Sequence, residues 1–403
     1  MNKAICLIDI TGSFGGAQKR YATLFNHISK ERKDYYLIIN YTLYELLRKE
    51  GILTTESNII FVNLGKADKP NSKPPYLKNS TATLKISKKK NSIIQTLGGI
   101  RAFAKLSCTW LIFVLELFKI IRSKKIRLVY GVWHGGIWLN PVKRLLGIKL
   151  IYSYNNANAS DLDTKWWRYF ESEYWVIRSC DKIDFLSKHI IQNLENVVGP
   201  ISASRITITN SSFINYEHFF PDNEKNNSVV FLSRLISDKN PKLYLESIEQ
   251  FNKTFAGAEK IQFYLIGNGI LYDELDDFIK RNELDNVRLI KNEYQPAKYL
   301  RKSKVFVSIQ QNENYPSQSL IEAMACENAV IASNVGQTSS LVTNSEGILV
   351  NLTKYEIADA LTRLFSDQQL INTYGKQARN KVLSEHTIEN FASHFYSIIN
   401  SFK

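Results

Sequence analysis

The chain reads as an α/β protein built from two doubly wound, parallel-sheet domains that face each other across a cleft. Three observations predict this. Short apolar runs alternate with amphipathic segments of helical period along the whole chain. The alternation restarts after a polar stretch at 211–227, which places a linker there. Polar, glycine-bearing loops fall where strands hand over to helices, the edge at which such sheets bind ligands. A length of 403 residues suits two domains on a prior of roughly 100–200 residues each.

The first apolar run, 4–9, is too short for a secretion signal and is interrupted by Asp9, so it predicts a buried opening strand. Further strands are predicted at 36–39, 59–61, 127–130, 149–154, 182–186 and 206–208, with helices at 18–28, 43–49, 100–121 and 166–178. The second half repeats the pattern. It predicts strands at 229–232, 261–266, 287–290, 305–307 and 330–332, and helices at 241–255 and 271–281. Residues 64–92, rich in Lys, Asn, Ser, Pro and Thr, predict a mobile insertion. The apolar helical spacing of 386–402 predicts a terminal helix. The domains are therefore expected at 1–212 and 213–385.

Composition is that of a globular protein, 44% hydrophobic and 22% charged. Cys6, Cys108, Cys180 and Cys326 lie far apart with no Cys-x-x-Cys spacing. That pattern argues against a zinc site or a disulfide framework and fits a reducing cytosol. The net charge of +14 is lopsided: residues 1–200 hold 31 Lys and Arg against 15 Asp and Glu, and 51–150 alone hold 18 against 3.

A field this concentrated draws anionic partners. Lys88, Lys89, Lys90, Arg101, Lys105, Lys119, Arg122, Lys124, Lys125 and Arg127 flank the apolar run 106–121, which carries Trp110, Phe113 and Phe118. Glu116 and Lys119 make that run too charged to span a bilayer. Two readings stay open: a helix lying on an anionic membrane surface through 85–127, or a core helix with solvated lysines at its ends. Nucleic acid is disfavoured, because no recognition motif is present.

Five pieces fall at strand-to-helix junctions. Thr11 to Gln18 carries Gly15 and Gly16 after the first strand, where paired glycines let backbone N–H groups approach a ligand. It is not a Gly-x-Gly-x-x-Gly fingerprint, so a dinucleotide role is unsupported. Arg234 and Lys239 sit five residues apart after the strand at 229–232, a spacing able to clamp a diphosphate through a guanidinium fork and an ammonium point charge. Gly267-Asn-Gly269 closes the strand at 261–266. Asn314-Tyr-Pro316-Ser317-Gln318-Ser319-Leu-Ile-Glu322 forms a small-residue loop expected to precede a helix with Glu322 in its first turn. Such a loop offers N–H groups at the positive end of a helix dipole, and a buried Glu322 could accept two ribose hydroxyls. Val335-Gly336-Gln337-Thr338 is the fifth.

In this order, the pieces resemble the C-terminal domain of retaining glycosyltransferases with the GT-B fold, specifically glycosyltransferase family four. The stretches 180–187 and 206–210 and the glycine loop are similar in the first half, so the likeness covers nearly the whole chain, least at 60–125. The resemblance implies two Rossmann-like domains, a terminal helix at 386–403 that returns to the first of them, and a nucleoside diphosphate sugar donor. It implies that Arg234 and Lys239 neutralise the diphosphate and that Glu322 holds the ribose. The N–H groups of Ser317, Gln318 and Ser319 would meet the phosphates or the sugar beside Pro316, which has no N–H. Gly15, Gly16 and Gly267 would border the donor, and His134 would stand near the transferred sugar. The family pattern has two glutamates separated by seven residues, but here the first position holds Asn314, with Glu313 one residue early. Either Asn314 bonds the sugar hydroxyl or a bulge brings in Glu313.

Leaving-group departure would put negative charge on the diphosphate, which the two cations and a helix terminus can stabilise without a metal or an organic cofactor. The expectation is transfer, with retention, to a lipid-linked or polysaccharide acceptor by a protein peripheral on the cytoplasmic membrane face. Rival expectations are a catalytically silent sugar-nucleotide-binding module and a sugar-nucleotide epimerase. The base, uridine or guanosine, is left open.

Overall fold

In the computed structural model the described residues are 1–10, 16–64, 92–155, 162–209, 211–291, 293, 295–313 and 315–402. The chain divides into two compact units, Met1–Thr209 with Ala392–Lys403, and Asn210–Phe391. Gly15, Asn314 and most of the expected insertion at 64–92 lie outside the described residues.

The first domain runs β1 (Asn2–Ile8), α1 (Gly16–Glu31), β2 (Tyr35–Asn40), α2 (Tyr41–Lys49), β3 (Ile59–Val62), α3 (Ser92–Ser123), β4 (Ile126–Trp133), α4 (His134–Leu139), α5 (Lys143–Leu146), β5 (Lys149–Tyr154), α6 (Glu173–Ser179), β6 (Lys182–Phe185), α7 (Lys188–Val198) and β7 (Ile206–Ile208). All pairings are parallel, in the order β3-β2-β1-β4-β5-β6-β7. The strands read as continuous apolar runs because both faces of the sheet are covered. Ile5, Leu7, Leu37, Val129 and Ile151 are fully buried.

The second domain runs β8 (Asn226–Leu232), α8 (Pro241–Thr254), β9 (Gln262–Ile266), α9 (Tyr272–Arg281), β10 (Val287–Ile290), α10 (Ala297–Lys302), β11 (Ser303–Ser308), α11 (Gln318–Ala325), β12 (Ala329–Ser333), α12 (Thr338–Leu341), β13 (Gly347–Val350), α13 (Lys354–Ser366) and α14 (Gln368–Glu385). Its sheet is again parallel, in the order β10-β9-β8-β11-β12-β13. A last helix, α15 (Ile388–Asn400), sends Phe395 against the rings of Tyr35 and Tyr130.

Both sheets reverse their winding at one place, between β1 and β4 and between β8 and β11. A parallel sheet opens a crevice at the carboxyl ends of such a strand pair. In the first domain Ile8 pairs with Trp133, so Asp9 and His134 leave the sheet side by side. In the second, Val230 pairs with Phe306, and the loops beginning at Ser233 and Ile309 leave together. Each domain is thus Rossmann-like, and a chain of two such domains is the GT-B fold class.

One expected helix is corrected. Residues 166–178 do not form a single helix: a single 3-10 turn at Trp166–Arg168 is followed by α6. Ser172 starts α6 by accepting from the Tyr174 N–H at 3.3 Å, and Phe170 is drawn instead into an aromatic cluster with Phe103 and Trp110 of α3. Four side-chain rings in five residues pack better around a turn than along one helical stripe.

Candidate functional site

The β8–α8 loop explains why the turn after β9 is glycine. Leu232 ends the strand, and the backbone of Ser233 to Leu235 then crosses directly over Gly267 and Gly269. The Ser233 N–H donates to Ile266 O at 3.1 Å and the Leu235 N–H to Asn268 O at 2.9 Å. A Cβ on Gly267 would sit 1.9 Å from Ser233 O, and one on Gly269 2.2 Å from Leu235 O. Gly267, expected at the donor, is thus placed as the saddle beneath Arg234.

Lys239 closes a 3-10 turn, Ser237–Lys239, and Pro241 opens α8 two residues later. Its side chain is buried, yet it carries an ammonium. Nζ donates to Gln310 Oε1 at 3.1 Å and lies 3.4 Å from Asp238 Oδ2. Burial lowers its pKa from the ordinary lysine value; Asp238 partly restores it, and the positive charge of Arg234 lowers it further. Arg234 precedes Lys239 by five residues on the same loop. Arg234 itself is exposed. The loop is tied to the segment after β11, since the Gln311 N–H donates to Asp238 O at 2.9 Å and Asn312 Nδ2 donates to Asp238 Oδ1. Gln310 is held in turn by Ser333, whose hydroxyl donates to Gln310 O at 2.9 Å.

Around this ammonium lies a small recess lined by Ser233, Lys239, Ser308, Gln310, Ser317 and Ser319. Ser317 and Ser319 belong to the start of α11. Ser317 is the N-cap but makes no side-chain capping bond, so the first-turn N–H groups of this helix keep their ligand-binding capacity. The Gln318 side chain turns away: its Nε2 donates to Phe213 O at 3.2 Å and to Glu322 Oε1 at 3.1 Å. Glu322 requires a correction. The helix starts at Gln318, so this carboxylate is its fifth residue, half-buried rather than in the first turn. Pro316 is buried beside Ser317.

Glu313 follows on the same segment after β11. It is buried, its Oε1 accepts from the Gln337 N–H at 3.0 Å, and its Oε2 has no hydrogen-bond partner among the described residues. Gly336 has φ +52, and a Cβ there would lie 2.6 Å from the Glu313 carboxyl carbon. The turn at 335–337 is therefore shaped around Glu313.

In the first domain His134 opens α4 directly after β4. Its ring is buried, and the Trp133 indole N–H donates to its Nε2 at 3.1 Å. The proton must then sit on Nδ1, which has no partner among the described residues. Burial drives its pKa down to about 3, so the ring is a neutral donor at physiological pH. The glycines that follow serve packing. A Cβ on Gly135 would meet Cys6 O at 2.2 Å, and one on Gly136 the Tyr152 ring at 2.3 Å. Gly16 is the exposed first residue of α1.

Among the described residues, no group of three His, Cys, Asp or Glu is placed to hold a metal ion. Reading the residues alone missed Ser233, Asp238, Ser308 and Gln310. The amide run Gln310-Gln311-Asn312 directly after a predicted strand was the available signal.

Residues 214–381 match the family described as Glycosyl transferases group 1, nearly the whole second domain. Over 232 residues the chain is 26% identical to the poly(ribitol-phosphate) alpha-N-acetylglucosaminyltransferase of Staphylococcus aureus, covering 53% of this chain and 46% of that protein. It is also 26% identical over 255 residues to the capsular polysaccharide biosynthesis glycosyltransferase CapM of the same species, 57% of this chain and 66% of CapM. The chain thus spans about half to two thirds of the length of these relatives. Among solved structures it is similar in fold to Anabaena HepE in complex with UDP, with a TM-score of 0.72 at 12% identity over 100% of both chains.

Proposed function

We propose that the protein transfers a sugar from a nucleoside diphosphate carrier to a lipid-linked or polysaccharide acceptor, with retention of anomeric configuration. The observation carrying this reading is the recess at the β8/β11 crevice, where Lys239, with Arg234 in electrostatic reach, stands beside the uncapped start of α11. Such a set matches a diphosphate that gains charge as its bond to the anomeric carbon breaks. The printed names of the relatives favour a glycan acceptor, and a neighbour solved with UDP favours a nucleoside diphosphate.

In this reading Lys239 and Arg234 offset the departing charge, with the N–H groups of Ser317, Gln318 and Ser319 adding fixed dipoles. Glu322 accepts the ribose hydroxyls, and Glu313 or Asn314 accepts a sugar hydroxyl. His134 donates from Nδ1. Two cations and a helix terminus make a divalent metal unnecessary. The enzyme works at the cytoplasmic face of the membrane, where a lipid-linked acceptor is delivered.

The test is a panel of nucleoside diphosphates and their sugars. Specific ligands raise the melting temperature, and the stabilising donor is then incubated with glycan and lipid acceptors. A new glycosidic bond with unchanged anomeric configuration supports the proposal. Binding without turnover on any acceptor points to a silent module, and an altered free sugar nucleotide points to an epimerase.

A further inference from the structure

The two faces of α3 do different work. The inward face is ordinary core: Phe113 and Leu117 are fully buried, Leu106 and Ile121 nearly so, and Trp110 Nε1 donates to Trp138 O at 2.9 Å. The acidic residue of this helix, Glu116, is engaged by accepting from the Asn63 N–H at 2.8 Å. The outward face comprises Arg101, Ala104, Lys105, Cys108, Leu111, Ile112, Leu115, Lys119 and Arg122, all exposed. At 3.6 residues per turn these nine fall in one stripe roughly 120° wide and about 32 Å long.

Their order along the stripe is the informative feature. The centre is apolar, with Leu111 53%, Ile112 43% and Leu115 60% exposed, and both ends are basic. Exposed large aliphatics on neighbouring turns of one helix have no core to serve. Beside the stripe, Trp166 packs edge-on against Phe103 and stays half-exposed, and α5, which abuts α3, leaves Leu145 and Arg144 exposed. No helix among the described residues is long and apolar enough to cross a membrane.

We infer that this stripe is a docking surface for an anionic lipid bilayer, with Leu111, Ile112 and Leu115 seated at the headgroup–acyl boundary and the four terminal cations on lipid phosphates. A protein partner with an apolar groove would satisfy the leucines, but it gives no reason for cations at both ends with no free carboxylate between them. A bilayer meets both demands, because its phosphates surround every inserted side chain. The inference deepens the membrane face of the proposed function and rests on it for location, but draws nothing from the donor recess.

Cys108 makes the test direct. It is exposed in the middle of the stripe, whereas Cys6, Cys180 and Cys326 are buried. An environment-sensitive fluorophore on Cys108 of the folded, full-length protein is titrated with phosphatidylcholine vesicles with and without about one third phosphatidylglycerol. The expected result is a blue shift and brightening on anionic vesicles only, with binding weakened about fivefold for each of Lys119→Gln and Arg122→Gln. Leu111→Ser with Leu115→Ser should abolish the shift. These side chains are exposed, so the fold survives, and unchanged thermal stabilisation by the donor verifies it. The inference is overturned by equal shifts on neutral and anionic vesicles, by vesicle binding that leaves Cys108 in water, or by a label already shielded without lipid. The last outcome would assign the face to a second copy or to the chain itself. Loss of donor binding in the unmodified protein would defeat the transferase reading and leave the vesicle result standing.

Discussion

Lys239 and His134 are both buried titratable groups at the carboxyl ends of parallel strands, yet one keeps a charge and the other is neutral. The Lys239 ammonium has Gln310 as a 3.1 Å acceptor and Asp238 at 3.4 Å, so burial lowers its pKa without removing its charge. Among the described residues the His134 ring meets an indole N–H and no carboxylate, and burial carries its pKa down to about 3. The difference teaches what each place can bind. A retained cation in a half-dry recess suits a phosphate, while a neutral imidazole whose Nδ1–H is unpaired among the described residues suits a hydroxyl.

The largest break in that comparison is removal of the cation. Lys239→Met should lower kcat/KM by roughly 10²–10³, as does loss of a single charge-stabilising donor elsewhere. Thermal stability should hold, because the variant no longer buries an ammonium. His134→Ala should cost less, about tenfold, read as a KM-against-kcat split with one sugar donor. Equal losses in both variants would erase the distinction.

The pH dependence sharpens the same contrast. Lys239 loses its proton at lower pH than an ordinary lysine, so activity should fall early on the alkaline side, and Lys239→Arg should push that fall upward. His134 works in the opposite sense. Its folded pKa lies below its unfolded value near 6.5, so its contribution to stability is present above that value and is lost as pH falls toward 3. His134→Gln should therefore flatten the acid side of a melting-temperature profile. The smallest effect concerns the turn packed on Glu313. Gly336→Ala forces a Cβ onto Glu313 at φ +52 and should destabilise by about 1–2 kcal/mol, measured by urea unfolding.

Much of this was legible from residue order. Strands such as 149–154 and 287–290 coincide with β5 and β10 because buried parallel strands are continuous apolar runs bounded by turns. Lys239 was singled out by its spacing from Arg234, and Ser317 and Ser319 by the small-residue loop and the family resemblance; the three share a recess. Gln310 was not legible, because its importance comes from Ser333 and Lys239, 23 and 71 residues away. β13 was missed because it opens on Gly347, a residue depleted in strands, directly after the polar run 343–346. Gly267 was read as a ligand neighbour, yet the Ser233 carbonyl crossing it already demands glycine. The Glu322 position was misread by one helical turn because Ser317 starts the helix without a capping bond to mark it.

The central claim is that Arg234 and Lys239 together hold a diphosphate. Calorimetric titration of UDP and GDP into the unmodified protein and the Arg234→Ala, Lys239→Met double variant tests it most directly. The account predicts binding of at least one nucleotide by the former and a loss of at least 100-fold in the latter with an unchanged melting temperature. Equal affinity in the two proteins would contradict it.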